Sequence, residues 1–181
     1  MNKINSFVCL LAIFGASGMA QAASTGTITF EGELTATTCD VSVNGGSESE
    51  TITLPVVGTN QLTEAGNTAG RTGFVLGLSD CAGTLKTASA FFEAGSSVDL
   101  VTGRLNNMTG TAKNVSLQLR DDSSDSRNVI QVGNTNQVAA STYVDVSSGS
   151  ANLPYSVEYY ANGEATAGTV VSNVVYSLQY K

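Results

Sequence analysis

Proton-transfer chemistry leans on histidine more than on any other side chain, because its ordinary pKa lets it take and give a proton near neutrality. This chain has no histidine among its 181 residues, so a Ser-His-Asp or Cys-His arrangement has no base. What remains is paired-carboxylate chemistry of the glycosidase kind, for which Asp121, Asp122 and Asp125 with Glu31 or Glu158 are the candidates. The run Asp121-Asp122-Ser123-Ser124-Asp125-Ser126 reads instead as a solvated turn between two strands, rich in side chains that bond their own backbone. It also lacks the glycine and the distal glutamate of a twelve-residue calcium loop. No catalytic residue, metal or cofactor is assigned.

The cysteines point to a structural bond. Of the three, Cys9 lies in a leader, and Cys39 and Cys81 are left as the one possible pair within an exported chain, so a disulfide is expected. Two cysteines without a histidine do not complete a zinc site. A bridge closing about 40 residues stabilises a fold by roughly 4 kcal/mol on the chain-entropy account. The leader is residues 1–22: Lys3, an apolar run over residues 7–16, then Ala20-Gln21-Ala22, the small-x-small pattern of signal-peptide cleavage. The run is shorter than the roughly 20 residues of a bilayer span. Without the leader the chain has 159 residues (181 − 22), a length that suits one domain.

Losing Lys3 leaves seven basic against fifteen acidic residues, a net charge of −8 with no basic cluster. Nucleic acid is excluded as a partner on that ground. Asn107-Met108-Thr109 and Asn114-Val115-Ser116 match the glycosylation sequon, a pattern that arises by chance in a chain this rich in Asn, Ser and Thr, and nothing is ascribed to them.

Strand signals recur at short spacing over residues 37–43, 51–57, 72–78, 86–93, 115–120, 128–132, 153–160 and 170–180. Turn formers separate them, among them Asn44-Gly45-Gly46, Ser147-Ser148-Gly149 and Asn162-Gly163. The pattern predicts an all-β sandwich. Helical periodicity is weak, with at most a single turn over residues 61–65.

The two ends carry the clearest alternation. In residues 26–34, Ile28, Phe30, Gly32 and Leu34 share one side and Thr27, Thr29, Glu31 and Glu33 the other; near the C-terminus Val174, Tyr176, Leu178 and Tyr180 share a face. An apolar stripe ahead of the cysteine-closed region needs a partner surface, and that surface need not belong to the same molecule.

Several of these features together resemble the subunits assembled by the chaperone–usher pathway, close to type 1-like major pilins. They are the signal peptide, Gly26-Thr27-Ile28-Thr29-Phe30-Glu31-Gly32-Glu33-Leu34 leading to Cys39, Leu78-Ser79-Asp80-Cys81, and Tyr159-Tyr160-Ala161 ahead of the last strand. To these are added a penultimate tyrosine, Tyr180, and a glycine fourteenth from the end, Gly168. The resemblance covers the whole chain. It implies an incomplete immunoglobulin-like sandwich, the six-stranded pilin fold, over residues 37–181, preceded by a donor-strand extension over residues 23–36.

The resemblance further implies that Ile28, Phe30, Gly32 and Leu34 fill the open groove of a neighbouring copy. A periplasmic chaperone first occupies that groove along Val174, Tyr176, Leu178 and Tyr180, with Gly168 marking the start of the same wall. It implies export through the periplasm and an outer-membrane usher to a surface fimbrium, where the chain is a shaft subunit supporting adhesion, alongside minor pilins and a tip adhesin. A minor adaptor pilin or an adhesive subunit binding a host receptor is the alternative role.

Overall fold

The structure, a computed structural model, describes residues 26–32, 34, 36 and 38–181. The leader expected over residues 1–22 lies outside the described residues. Two compact units divide the chain, residues 1–33 and residues 34–181.

In the first unit, residues 26–32 form neither strand nor helix. Ile28 is 77% exposed and Phe30 89%. The alternation expected to make a strand of residues 26–34 therefore makes none among the described ones. A strand is held by hydrogen bonds to a neighbour, and even a two-stranded hairpin is only marginally stable in water.

In the second unit the strands are β1 (Thr38–Val43), β2 (Thr68–Ala82), β3 (Thr87–Phe92), β4 (Val98–Asp99), β5 (Arg104–Asn106), β6 (Val115–Asp121), β7 (Val129–Ile130), β8 (Val144–Asp145), β9 (Ala151–Ala161) and β10 (Tyr176–Tyr180). Six of them, β1, β2, β3, β6, β9 and β10, have five residues or more and carry the sandwich. A one-turn helix, α1 (Gln137–Ala140), lies between β7 and β8, and Thr59–Gln61 forms a single 3-10 turn. No helix among the described residues is long and apolar enough to cross a membrane.

Two antiparallel sheets result. The larger runs β1-β2-β9-β6-β5-β4, with β7 also paired to β6, and the smaller runs β10-β3-β8. β9 reads Leu153, Tyr155, Val157 on its inner side, with cross-strand partners Leu76, Phe74 and Thr72 on β2. Tyr155 fixes the two sheets to each other. It is 1% exposed, its ring meets Phe92 of β3 edge-on at 5.1 Å, and its hydroxyl accepts a hydrogen bond from the Ala90 N–H at 3.1 Å. A ring of this size removes 150–250 Å² from water, and the polar tip keeps its partner. The expected disulfide is present, tying Cys39 on β1 to Cys81 at the end of β2.

Three sequence expectations are adjusted. Residues 51–57 form no strand and join no ladder; Pro55 has no N–H to offer one, while Ile52 and Leu54 still pack on the core. Of residues 170–180, only Tyr176–Tyr180 pairs as a strand. Asp121 is not part of a solvated turn. It ends β6 at 1% exposure, its carboxylate accepting from the N–H groups of Ser123 and Thr142 at 2.9 and 2.8 Å. The short strands β4, β5 and β8 and the helix α1 have no counterpart in the sequence pattern, being too short for a period to show.

Candidate functional site

β10 is an edge strand. Its one neighbour among the described residues is β3, in the register Tyr176↔Phe92, Leu178↔Ala90 and Tyr180↔Ala88. Toward β3, the Val175 carbonyl accepts from Glu93 N–H at 2.8 Å, and Lys181 exchanges backbone bonds with Thr87 at 2.9 and 3.0 Å. In an antiparallel ladder alternate residues turn their backbone groups to opposite sides, so those of Tyr176, Leu178 and Tyr180 face the open edge. The side chains of Tyr176, Leu178 and Tyr180 on β10, and of Val174 just ahead of it, pack against the main core.

Between this edge and the opposite wall, formed by β1 and residues 47–54, lies a groove. One part, about 340 Å³, has a floor of Leu76, Phe92, Leu117, Leu119 and Val157 with Ile52 and Leu54 at its side. The adjoining part, about 870 Å³, runs from Thr38 to Val41 on one wall and Val174 to Tyr180 on the other. The two share Glu48, Ser49, Val174 and Tyr176. The chain reaches the far wall through the turn at Asn44-Gly45-Gly46, closed by Gly46 N–H to the Val43 carbonyl at 2.9 Å and Val43 N–H to the Ser47 carbonyl at 2.8 Å. Phe92 of the floor is fixed from α1: Gln137 accepts from its N–H and donates to its carbonyl, both at 3.0 Å.

The wall preceding β10 forms no strand and is held by side chains together with two backbone bonds, Met108 N–H to the Val171 carbonyl at 2.8 Å and Ala112 N–H to the Thr169 carbonyl at 3.1 Å. Asn107 donates to the carbonyls of Ala112 and Thr169 at 2.9 and 3.1 Å and accepts from the N–H groups of Gly110 and Val171 at 3.1 and 2.9 Å. Ser97 Oγ donates to the Asn173 carbonyl at 2.6 Å, and Thr111 and Thr169 cross-bond through N–H and Oγ1 at 3.1 and 3.0 Å. Gly168 opens this wall with φ +155°, and a Cβ there would stand 2.4 Å from Ala112 N. Both the backbone angle and the close approach require glycine. Asn107, read in the sequence as half of a chance sequon, and Gln137 are the site residues that sequence reasoning missed; nothing in their local pattern marks a clamp.

Two tyrosines reach across the groove, Tyr176 donating its O–H to the Glu48 carbonyl at 2.8 Å and Tyr180 accepting from Cys39 N–H at 3.1 Å. Burial pushes both phenols up, helped at Tyr176 by the nearby Glu48 charge and opposed at Tyr180 by the Cys39 bond. The rim bears Asp40, Glu48 and Glu50. Glu50 is held below the usual carboxylate range by hydrogen bonds from the Ser47 backbone and hydroxyl.

The donor candidates Ile28, Phe30 and Leu34 are exposed, and Gly32 has no neighbour within 4 Å of a built Cβ. The hydrolase candidates do not make a site. Glu158 accepts from Arg71, Arg120 and Gln118 on the outer side of the large sheet, and Asp121 is tied to backbone N–H groups. Among the described residues no three His, Cys, Asp or Glu side chains gather to hold a metal ion.

The crystal structure of the P pilus rod subunit PapA superposes on this chain with a TM-score of 0.60. The superposition covers 79% of this chain and 99% of PapA at 15% identity, a likeness of fold. The sequence profile of the "Type-1 fimbrial protein, A" family matches residues 54–181. The major fimbrial subunit SMF-1 of Stenotrophomonas maltophilia is 41% identical over 172 residues, covering 93% of this chain and 99% of that protein. The F17 fimbrial protein of Escherichia coli is 35% identical over 189 residues, covering all of both chains. The chain belongs to the type-1 fimbrial protein family, whose members are structural, extracellular components of pili and not enzymes.

Proposed function

We propose that this pilus subunit polymerises by donor-strand exchange, residues 23–36 of one copy filling the groove of the next. The observation that carries the reading is the pairing of an unfilled edge with an unfilled stripe. β10 offers backbone groups and an apolar trough on one side, and Ile28, Phe30 and Leu34 are exposed at a spacing of two and four residues. A strand alternates its side chains with that period, so one extended segment both completes the ladder and plugs the floor. Burying the three side chains is worth roughly 5 to 9 kcal/mol before ordering costs. Gly32 sits where the stripe is interrupted, the residue that fits when two backbones approach closely.

Donation from copy to copy is heterologous and does not close on itself, so it builds a filament. Until a neighbour arrives, the groove along Val174, Tyr176, Leu178 and Tyr180 takes a strand from a periplasmic chaperone, and an outer-membrane usher oversees the replacement. The chain is thereby exported through the periplasm to a fimbrium that supports attachment of the cell, in company with minor pilins and a tip adhesin. The test is Phe30→Asp, which places a charge where the floor is apolar. The variant is expected to fold with its chaperone and to form no filaments in electron micrographs, and filaments of normal length overturn the assignment.

A further inference from the structure

The tyrosine hydroxyls of β10 do something that apolar groove residues do not. Tyr176 and Tyr180 stand four residues apart, roughly 13 Å along a strand, and each is hydrogen-bonded to the backbone of the facing wall, at the Glu48 carbonyl and the Cys39 N–H. Those two backbone groups are of the kind a strand laid in the groove uses. The Cys39 N–H points to Tyr180 and not to β2, and Glu48 lies in a bend that joins no ladder. Cys39 is half-buried, and a half-buried N–H left without a partner is unfavourable, so the Tyr180 hydroxyl stands in for the missing strand there; Glu48 is exposed, and Tyr176 adds a second bridge to its carbonyl.

We infer that Tyr176 and Tyr180 are positioning residues whose hydroxyls bridge the empty groove and must release the opposite wall before a donor strand is seated, so that they govern how fast the groove fills and hardly affect how firmly it stays filled. This rests on the donor-strand reading and adds to it a barrier built from this chain's own side chains. Once a donor is in place, its backbone satisfies Cys39 and Glu48, and the rings keep packing on the core whether or not they carry a hydroxyl. Phenylalanine therefore removes the bridge and preserves the packing.

The test uses the full-length chain at a dilution where self-assembly is slow, with a labelled synthetic peptide of residues 26–36 in large excess. Tyr176→Phe and Tyr180→Phe are each expected to speed peptide capture about two- to tenfold, the scale of one net hydrogen bond, while release of bound peptide stays within about twofold of the unmodified chain. A simple loss of structure would slow capture and quicken release. If capture by either variant is unchanged or slower while the unmodified chain takes up the peptide, the bridges are refuted and donor-strand exchange stands. If the unmodified chain takes up no peptide, both fall. Amide exchange at Cys39 reads the same bridge without a substitution: it is expected to be protected in the empty full-length chain, and rapid exchange there refutes the bridge.

Discussion

β9 and β10 carry the same kind of alternating sequence, and the molecule treats them in opposite ways. β9 has eleven residues, lies between β2 and β6, and is buried on both faces over residues 155–158. β10 has five, is paired among the described residues with β3 alone, and alternates half-buried with exposed at its start. Even the outward side of β9 is finished: Glu158, with its side chain 3% exposed, is enclosed by Arg71, Arg120 and Gln118. An exposed sheet edge invites pairing, and proteins ordinarily blunt it with charge, proline or a covering loop. Tyr176–Tyr180 has neither charge nor proline along its length. The pattern within a strand thus says that it has an inner face, while the count of its neighbours says whether the chain alone completes it.

The difference is broken or sharpened first at Tyr155. Truncation to alanine removes the ring that meets Phe92 and strands the Ala90 N–H, and a change of this kind costs about 3–5 kcal/mol. Urea unfolding of the full-length chain is expected to show that loss equally with and without the residue 26–36 peptide. Leu178→Ala, on β10, is expected to cost less in the empty chain and more once peptide is bound. Equal costs for Leu178→Ala in the two states would erase the distinction between a finished strand and a waiting one.

Next in size is Gly168→Ala. The φ of +155° and a Cβ placed 2.4 Å from Ala112 N predict a loss of about 1–3 kcal/mol. Because the strain lies at the head of the groove wall, weaker peptide capture should accompany it. A variant of unchanged stability would mean that the 107–112 loop yields freely, and that the wall is less firmly clamped than Asn107 and Thr111 suggest.

How much of this is legible in the sequence follows from what each feature depends on. Strands β1, β2, β6 and β9 were visible because alternation is local and their turns carry Asn, Gly and Ser. The disulfide was visible because the choice of partner was exhausted. The Val174-Tyr176-Leu178-Tyr180 face was visible for the same reason as β9, and its open edge was not, since that depends on which strand lies beside it. Asn107 and Gln137 also bond to near neighbours, but the bonds that fix the wall and Phe92 reach carbonyls and N–H groups 45 to 64 residues away, a separation no window detects. Asp121 differs from its expectation because the run it begins is polar, while its own position is the last inward-facing place on β6.

The smallest expected effect probes the closed side of the comparison. Burial alone would raise the Glu158 carboxyl, but the hydrogen bonds from Arg120, Arg71 and Gln118, with the charge of Arg120, outweigh it and hold the group below the usual carboxylate range. A folded pKa below the unfolded one contributes stability that is fully present above the unfolded value, near 4.3, and is lost as pH falls through the folded value. The two arginines are 39% and 22% exposed, and solvent screening trims the contribution to about 1–2 kcal/mol at neutral pH. Glu158→Gln should remove that amount above pH 5 and little of it in strong acid, so the difference between the two unfolding profiles shrinks as pH drops. It should do so identically with the groove empty or filled, because the carboxylate belongs to the face the chain completes by itself. A difference that stays constant with pH would mean that Glu158 acts there by its shape and not by its charge.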